Sequence, residues 1–179
     1  MQRWKLEECA AVPWENGGGL TRELAARRTG GGVLWRLSVA EITKDGPFSA
    51  FVGMARVHTI IEGAGLDLDG ETGVLHARPF VPLQFDGGVA LEASLLDGPC
   101  QAFNVIYDPQ SVAVDVNVHA CEKPLDVAVG DFVYMAAGSA SMERGSRLIA
   151  EEAISPEVPI TLYPNSARLL HVRFRPVTN

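Results

Sequence analysis

Along most of the chain apolar residues recur at every second position or in short β-branched runs, and Gly, Pro, Asp and Asn stand between them. That is the mark of strands joined by turns, because successive side chains on a strand point to opposite faces. Helical spacing is scarce. The pattern predicts strands over Arg3–Glu7, Leu20–Arg27, Val33–Ile42, Arg56–Glu62, Leu66–Leu68, Phe80–Phe85, Ala90–Leu95 and Gln101–Tyr107. A second series follows over Val112–His119, Asp131–Met135, Arg147–Glu151, Ile160–Tyr163 and Arg168–Arg175. The 18 glycines and 11 prolines fall largely between these segments, as the turns of a sandwich or barrel require. The expectation is an all-β chain.

Asp108-Pro109-Gln110-Ser111 interrupts the pattern and divides the chain into a half spanning 1–109 and a half spanning 110–179, packed as one compact unit. Each half has strands enough for one curled sheet. With 179 residues, a core can form without covalent staples. Cys9, Cys100 and Cys121 are too few and too irregularly spaced for a disulfide framework or a C-x-x-C motif, which favours a reducing compartment. The first residues carry charge where a secretory segment is apolar. No run of about eighteen apolar residues is present to span a membrane. The 15 Lys and Arg against 22 Asp and Glu leave a formal charge of −7, which repels a phosphate backbone. Arg22, Arg27 and Arg28, interrupted by Glu23, read as a solvated strand edge.

Three segments carry candidate chemistry. In Pro13-Trp14-Glu15-Asn16-Gly17-Gly18-Gly19-Leu20-Thr21-Arg22-Glu23 the three glycines leave a bare backbone. It can form an anion-binding nest, pass close to a ligand, or serve as a flexible turn. It is no nucleotide loop, because a strand follows it and no Gly-Lys-Ser/Thr is present. In Trp35–Glu41, alternation puts Arg36 and Ser38 on the face opposite Trp35, Leu37 and Val39. In Arg56–Gly63, parity places Arg56, His58 and Glu62 on one face, either lining a lumen or meeting water. A four-ligand metal site of the H-x-H type cannot be drawn from His58, His76, His119 and His171, which are all isolated, so neither metal nor cofactor is expected. No G-x-S-x-G elbow announces a nucleophile.

The Pro13–Glu23 run closely resembles the opening motif of the HutD/Ves family. Trp35–Ala40, Gly46-Pro47-Phe48-Ser49-Ala50-Phe51, Arg56, Ile60–Leu66 and Phe103-Asn104-Val105 resemble its further motifs, in the same order. The likeness covers about the first 107 residues. It implies a bicupin of two RmlC-like jelly-roll barrels, a cytoplasmic homodimer, and a regulator of histidine utilisation that binds a carboxylate-bearing metabolite, formylglutamate or urocanate. Other members are known only as stress-induced proteins. The chain departs from the family at Glu15, Phe51-Val52-Gly53, Gly87-Gly88 and Ala102, which bears on pocket polarity.

The expected binding site comprises Trp14, Asn16, Gly17, Gly18, Thr21, Arg36, Ser38, Arg56, His58, Glu62 and Asn104. Arginine supplies the bidentate fork that a carboxylate fits, Ser38 and Asn104 add neutral hydrogen bonds, Glu62 orients an arginine or accepts a ligand N–H, and Trp14 closes the mouth. The rival arrangements are a metal-independent isomerase or epimerase using His58 with Glu62, and a protein of purely structural role.

Overall fold

The computed structural model describes residues 1–120 and 122–177, so Cys121 lies outside the described residues. Its strands are β1 Gln2–Lys5, β2 Ala11–Pro13, β3 Gly19–Thr29, β4 Gly32–Ile42, β5 Gly46–Phe48, β6 Ala55–Glu62, β7 Leu66–Gly70, β8 Gly73–Ala77, β9 Leu83–Asp86, β10 Leu91–Leu95 and β11 Cys100–Tyr107. They continue as β12 Val112–His119, β13 Leu125–Val127, β14 Phe132–Ser141, β15 Arg147–Ile149, β16 Glu152–Ser155 and β17 Ile160–Pro176. Two single 3-10 turns, Leu6–Glu8 and Glu143–Gly145, are the helical elements among the described residues. The all-β expectation holds.

The differences are local. Short strands β2, β5, β8, β13 and β16 carry three to five residues each, too few for an alternation to stand out. Phe80 is outside any strand, in a turn at φ 59°. The two segments expected at 160–163 and 168–175 are one strand, β17, paired with β14 along both arms. The chain also divides differently from a cut after residue 109. One compact unit spans Ala10–Val112, and the other joins Met1–Cys9 to the residues from Ala113 onward. The reason is β1, which pairs antiparallel with β16 from Gln2↔Ser155 to Lys5↔Glu152.

The unit of residues 10–112 holds two antiparallel sheets, one in the order β2-β3-β4-β11-β6-β9 and the other β5-β10-β7-β8. Ile42, Ile60, Cys100 and Ala102 of the first sheet and Phe48, Leu66, Leu68, Ala77 and Ala93 of the second form one buried cluster, so apolar burial holds the sheets face to face. In the other unit, β14, β16, β17, β1 and β12 form one sheet joined at its margins by β13 and β15. Val133, Met135, Leu148, Ile154, Leu162 and Leu169 on these strands share a single cluster.

Irregular pairing near Ala137 and Ser139 interrupts the β14–β17 ladder. There Gly138 at φ 74° lies against Ser166 at φ 47°, and a Cβ on Gly138 would stand 2.2 Å from the Ser166 carbonyl oxygen. Both the left-handed backbone and the contact demand glycine. Gly138→Ala is expected to destabilise the fold by about 2 kcal/mol or more, a fall in melting midpoint of roughly 4–8 °C. Gly31→Ala, whose Cβ would meet nothing closer than Thr29 Oγ1 at 3.8 Å, should stay within about 0.5 kcal/mol of the parent. Paired thermal melts check both.

Candidate functional site

Register across three central strands of the six-stranded sheet assembles the site. Arg36 on β4 pairs with Ile106 on β11, which pairs with Arg56 on β6. One step along, Ser38 pairs with Asn104, which pairs with His58. Directly opposed residues on an antiparallel ladder share a face, so two arginines, a serine, an asparagine and a histidine converge on one side of the sheet. All of these but His58 line a small cavity of about 30 Å³, together with Trp14, Thr21, Phe48, Ser49 and Phe51. That volume admits about one water-sized group.

Arg56 is 4% exposed. Its Nε and Nη2 donate to Asn104 Oδ1 at 3.0 and 2.7 Å, and its Nη1 donates to the Ser49 carbonyl oxygen at 3.5 Å. These acceptors are neutral. Its guanidinium carbon lies 4.1 Å from the Phe48 ring centre and 5.8 Å from those of Phe51 and Phe85. Among the described residues, no carboxylate forms an ion pair with it. Burial, and then the charge of Arg36, push its pKa down to about 9, so it is still a cation at neutral pH. Cation–π contacts contribute about 0.5–2 kcal/mol each, whereas an unpaired buried ion carries a penalty of several kcal/mol. The rings therefore do not balance the charge.

His58 is fully buried and its Nδ1 lies 2.7 Å from Asn104 Oδ1. Asn104 Nδ2 donates to the Ala102 carbonyl oxygen, which fixes the amide with its oxygen toward Arg56 and His58. An oxygen only accepts, so His58 carries its proton on Nδ1 and leaves Nε2 as a bare acceptor. Nε2 is buried without a hydrogen-bond partner. Arg36 is half-buried, with Glu23 Oε2 3.5 Å from its Nε and Phe51 5.9 Å from its guanidinium carbon. Trp14 donates from Nε1 to Thr21 Oγ1 at 2.8 Å and meets Phe48 edge-on.

Of the residues expected from sequence, Trp14, Thr21, Arg36, Ser38, Arg56 and Asn104 line the cavity, and His58 supports it from behind through Asn104. Glu62 does not join them. The register between β6 and β11 slips between Gln101 and Ala102, so that Gln101 faces Glu62 while Ala102 faces Ile60. The irregularity inserts Ile61 and breaks the parity that would have put Glu62 on the Arg56 face. Glu62 instead lines a separate cavity with Glu41 and Cys100, so it cannot orient Arg56 or act with His58.

Asn16, Gly17 and Gly18 also stay out of the cavity. Gly17 N donates to the Trp14 carbonyl oxygen and Gly18 N to Asn16 Oδ1, while Asn16 Nδ2 donates to the Pro47 carbonyl oxygen. The nest closes on itself as a turn. The close backbone approach is made by Gly19, whose Cβ would sit 2.1 Å from the Glu41 carbonyl oxygen and 3.3 Å from the Trp14 ring. The glycines thus seat Trp14 on the cavity wall. Phe48, Ser49 and Phe51 were not foreseen as site residues. Their signal was an aromatic pair flanking Ser49 just before a buried arginine. Among the described residues no group of His, Cys, Asp and Glu is placed to hold a metal ion, and no helix is long and apolar enough to cross a membrane.

Burial, and then the charge of Arg56, push the His58 pKa from 6.5 down to about 3. Between those values the unfolded chain binds a proton that the native chain does not, so unfolding free energy rises with pH and falls on acidification. The loss should reach about 2–3 kcal/mol at pH 4.5, at 1.36 kcal/mol per unit. Urea denaturation at pH 7 and 4.5 checks this, with His58→Gln expected to show a correspondingly smaller acid loss.

The family model described as HutD matches residues 6–167. An uncharacterized 21.2 kDa protein in the hutC 3' region of Pseudomonas putida is 37% identical over 117 residues, 62% of this chain and 60% of that protein. Protein Ves of Citrobacter koseri is 36% identical over 103 residues, 55% of this chain and 52% of that protein. The matched stretch thus spans little more than half of these curated relatives. A solved structure of HutD from Pseudomonas fluorescens superposes with a TM-score of 0.84 at 27% identity, covering 99% of both chains. An oxalate decarboxylase of Bacillus subtilis shares the fold, with a TM-score of 0.65 at 9% identity over 99% of this chain and 79% of that one, which makes the fold cupin-like. With 162 consecutive positions inside the family model, the chain belongs to the HutD family.

Proposed function

We propose that this chain is a non-enzymatic binding protein of the HutD type, a bicupin whose unit of residues 10–112 takes the carboxylate of a small metabolite on Arg56. The observation that carries the reading is a buried guanidinium with neutral partners only. A carboxylate offers it the missing countercharge in bidentate geometry. Arg36 adds a second cation at the cavity, and Ser38 adds a hydroxyl donor. Size decides how such a ligand sits. With about 30 Å³ enclosed, the cavity receives a carboxylate head, and the rest of a molecule such as formylglutamate or urocanate must extend past the Trp14, Ser49 and Phe51 side.

Kinship with a protein in the hutC 3' region and with a HutD structure supports a regulatory role in histidine utilisation, carried by a cytoplasmic homodimer. An acid–base enzyme built on His58 and Glu62 loses its geometry, because those residues occupy different places on the sheet.

Arg56→Met should keep the fold and lose binding. Removal of a charge-assisted pair weakens affinity by roughly 2–5 kcal/mol, on the order of 30-fold to several-thousand-fold. Calorimetry with formate, urocanate and formylglutamate checks it, and equal affinity in parent and variant would remove Arg56 from the site.

A further inference from the structure

The second cation of the cavity, Arg36 on β4, draws its own countercharge from outside the cavity wall. Its Nε is buried without a hydrogen-bond partner. Glu23 Oε2 stands 3.5 Å from that Nε, so the contact is an ion pair and not a hydrogen bond. Among the described residues Glu23 is the one acid in ion-pair reach of Arg36, and none reaches Arg56. Register explains the placement. Glu23 on β3 opposes Ser38 on β4, as Thr21 opposes Ala40, and Thr21, Ser38 and Ala40 all line the cavity. Opposed residues share a face, so Glu23 stands on the cavity side of the sheet, two residues along β3 from Thr21.

Arg28 holds the acid there, its Nη2 donating to Glu23 Oε1 and Oε2, both at 3.1 Å. The Arg28 side chain is 57% exposed against 27% for Arg36, so water and salt screen its charge. Arg36 and Arg56 instead lie against the enclosed space and act on each other: after burial, the charge of Arg36 is what lowers the Arg56 pKa. Two inner guanidinium groups and one carboxylate leave a single positive charge at the cavity. One ligand carboxylate completes neutrality. A second would find no free cation and would meet the charge of Glu23. Two like charges about 8 Å apart near a protein surface, at an effective dielectric of about 20, repel by the equivalent of roughly ten- to thirtyfold in affinity.

We propose that Glu23 is a specificity-determining residue of this site: by supplying the countercharge of Arg36 it restricts the site to singly charged acids and turns away those with a second carboxylate. The inference rests on the reading of Arg56 as the anchor of a ligand carboxylate. Glu23 acts through Arg36 and through charge, without contact to the anchored head.

The test uses the full chain and calorimetry with two acids of matched length at pH 7, succinamate with one charge and succinate with two. The parent protein should bind succinamate about tenfold more tightly than succinate. Glu23→Gln should strengthen succinate about tenfold more than it strengthens succinamate, bringing the two affinities together. Glu71→Gln makes the same change of net charge at an exposed turn between β7 and β8, and should keep the parent ratio. No preference in the parent, an unchanged ratio in Glu23→Gln, or an equal loss of preference in Glu71→Gln would overturn the role of Glu23 and leave the carboxylate site standing. Binding of neither acid by the parent would overturn both readings together.

Discussion

A cation kept out of water without an acid beside it is the constraint around which the unit of residues 10–112 is organised. Arg56 is buried on β6, between β11 and β9 of the six-stranded sheet, and one amide oxygen, Asn104 Oδ1, accepts from Arg56 twice while also facing His58 Nδ1. That oxygen fixes the imidazole tautomer, and the Ala102 carbonyl fixes the amide in turn. The rings of Phe48, Phe51 and Phe85 surround the guanidinium where a solvated protein would place water. Replacing any member leaves a buried polar group unmatched, and the unmatched group costs more than the lost bond was worth.

The other unit answers the same problem in the opposite way. Its buried histidine, His171, has a carboxylate partner in Asp131, whereas His58 has only an amide and a neighbouring cation. The two histidines therefore differ in what they hold in reserve. His58 is neutral and locked behind an arginine, while His171 is braced by an acid and lines a cavity large enough for a small molecule. One unit leaves positive charge without a countercharge, and the other sets a carboxylate against its buried histidine. The two units present different buried polar groups on a shared all-β architecture, because such chemistry resides in the side chains a sheet face presents, not in the sheet.

Most of the strand plan was legible, because period-two alternation is a direct record of which face is buried. Arg36, Ser38, Arg56 and His58 were placed by parity, and the ladder pairs them across Ile106 and Asn104 as parity requires. Parity failed at Glu62, since one extra residue in the β6–β11 ladder reverses every later side chain, and nothing in Ile60-Ile61-Glu62 marks where the insertion falls. The triglycine run misled differently: its chemistry permits an anion nest, but only the fold shows Asn16 Oδ1 and the Trp14 carbonyl taking up the N–H groups of Gly18 and Gly17. The pairing of β1 with β16 joins residues about 150 positions apart, and local pattern carries no trace of so distant a partner. Asp131 and His171, separated by 40 positions, were invisible as a pair for the same reason.

The irregularity at Ile61 changes the face of Glu62, while the surroundings of Arg56 are set elsewhere on the sheet. Had Glu62 continued the alternation, it would have shared the Arg56 face but stood six residues along the strand, about 20 Å at roughly 3.3 Å per residue, beyond contact with the guanidinium. A resident carboxylate would neutralise the site, and an incoming anion would then have to displace an intramolecular partner at high effective concentration. The described residues that line the cavity with Arg56 are a second arginine, a serine, amide and carbonyl oxygens, and aromatic rings. Neutral acceptors hold the guanidinium in place without cancelling its charge. On the proposed reading, that separation of orientation from neutralisation is what makes the site selective for anions.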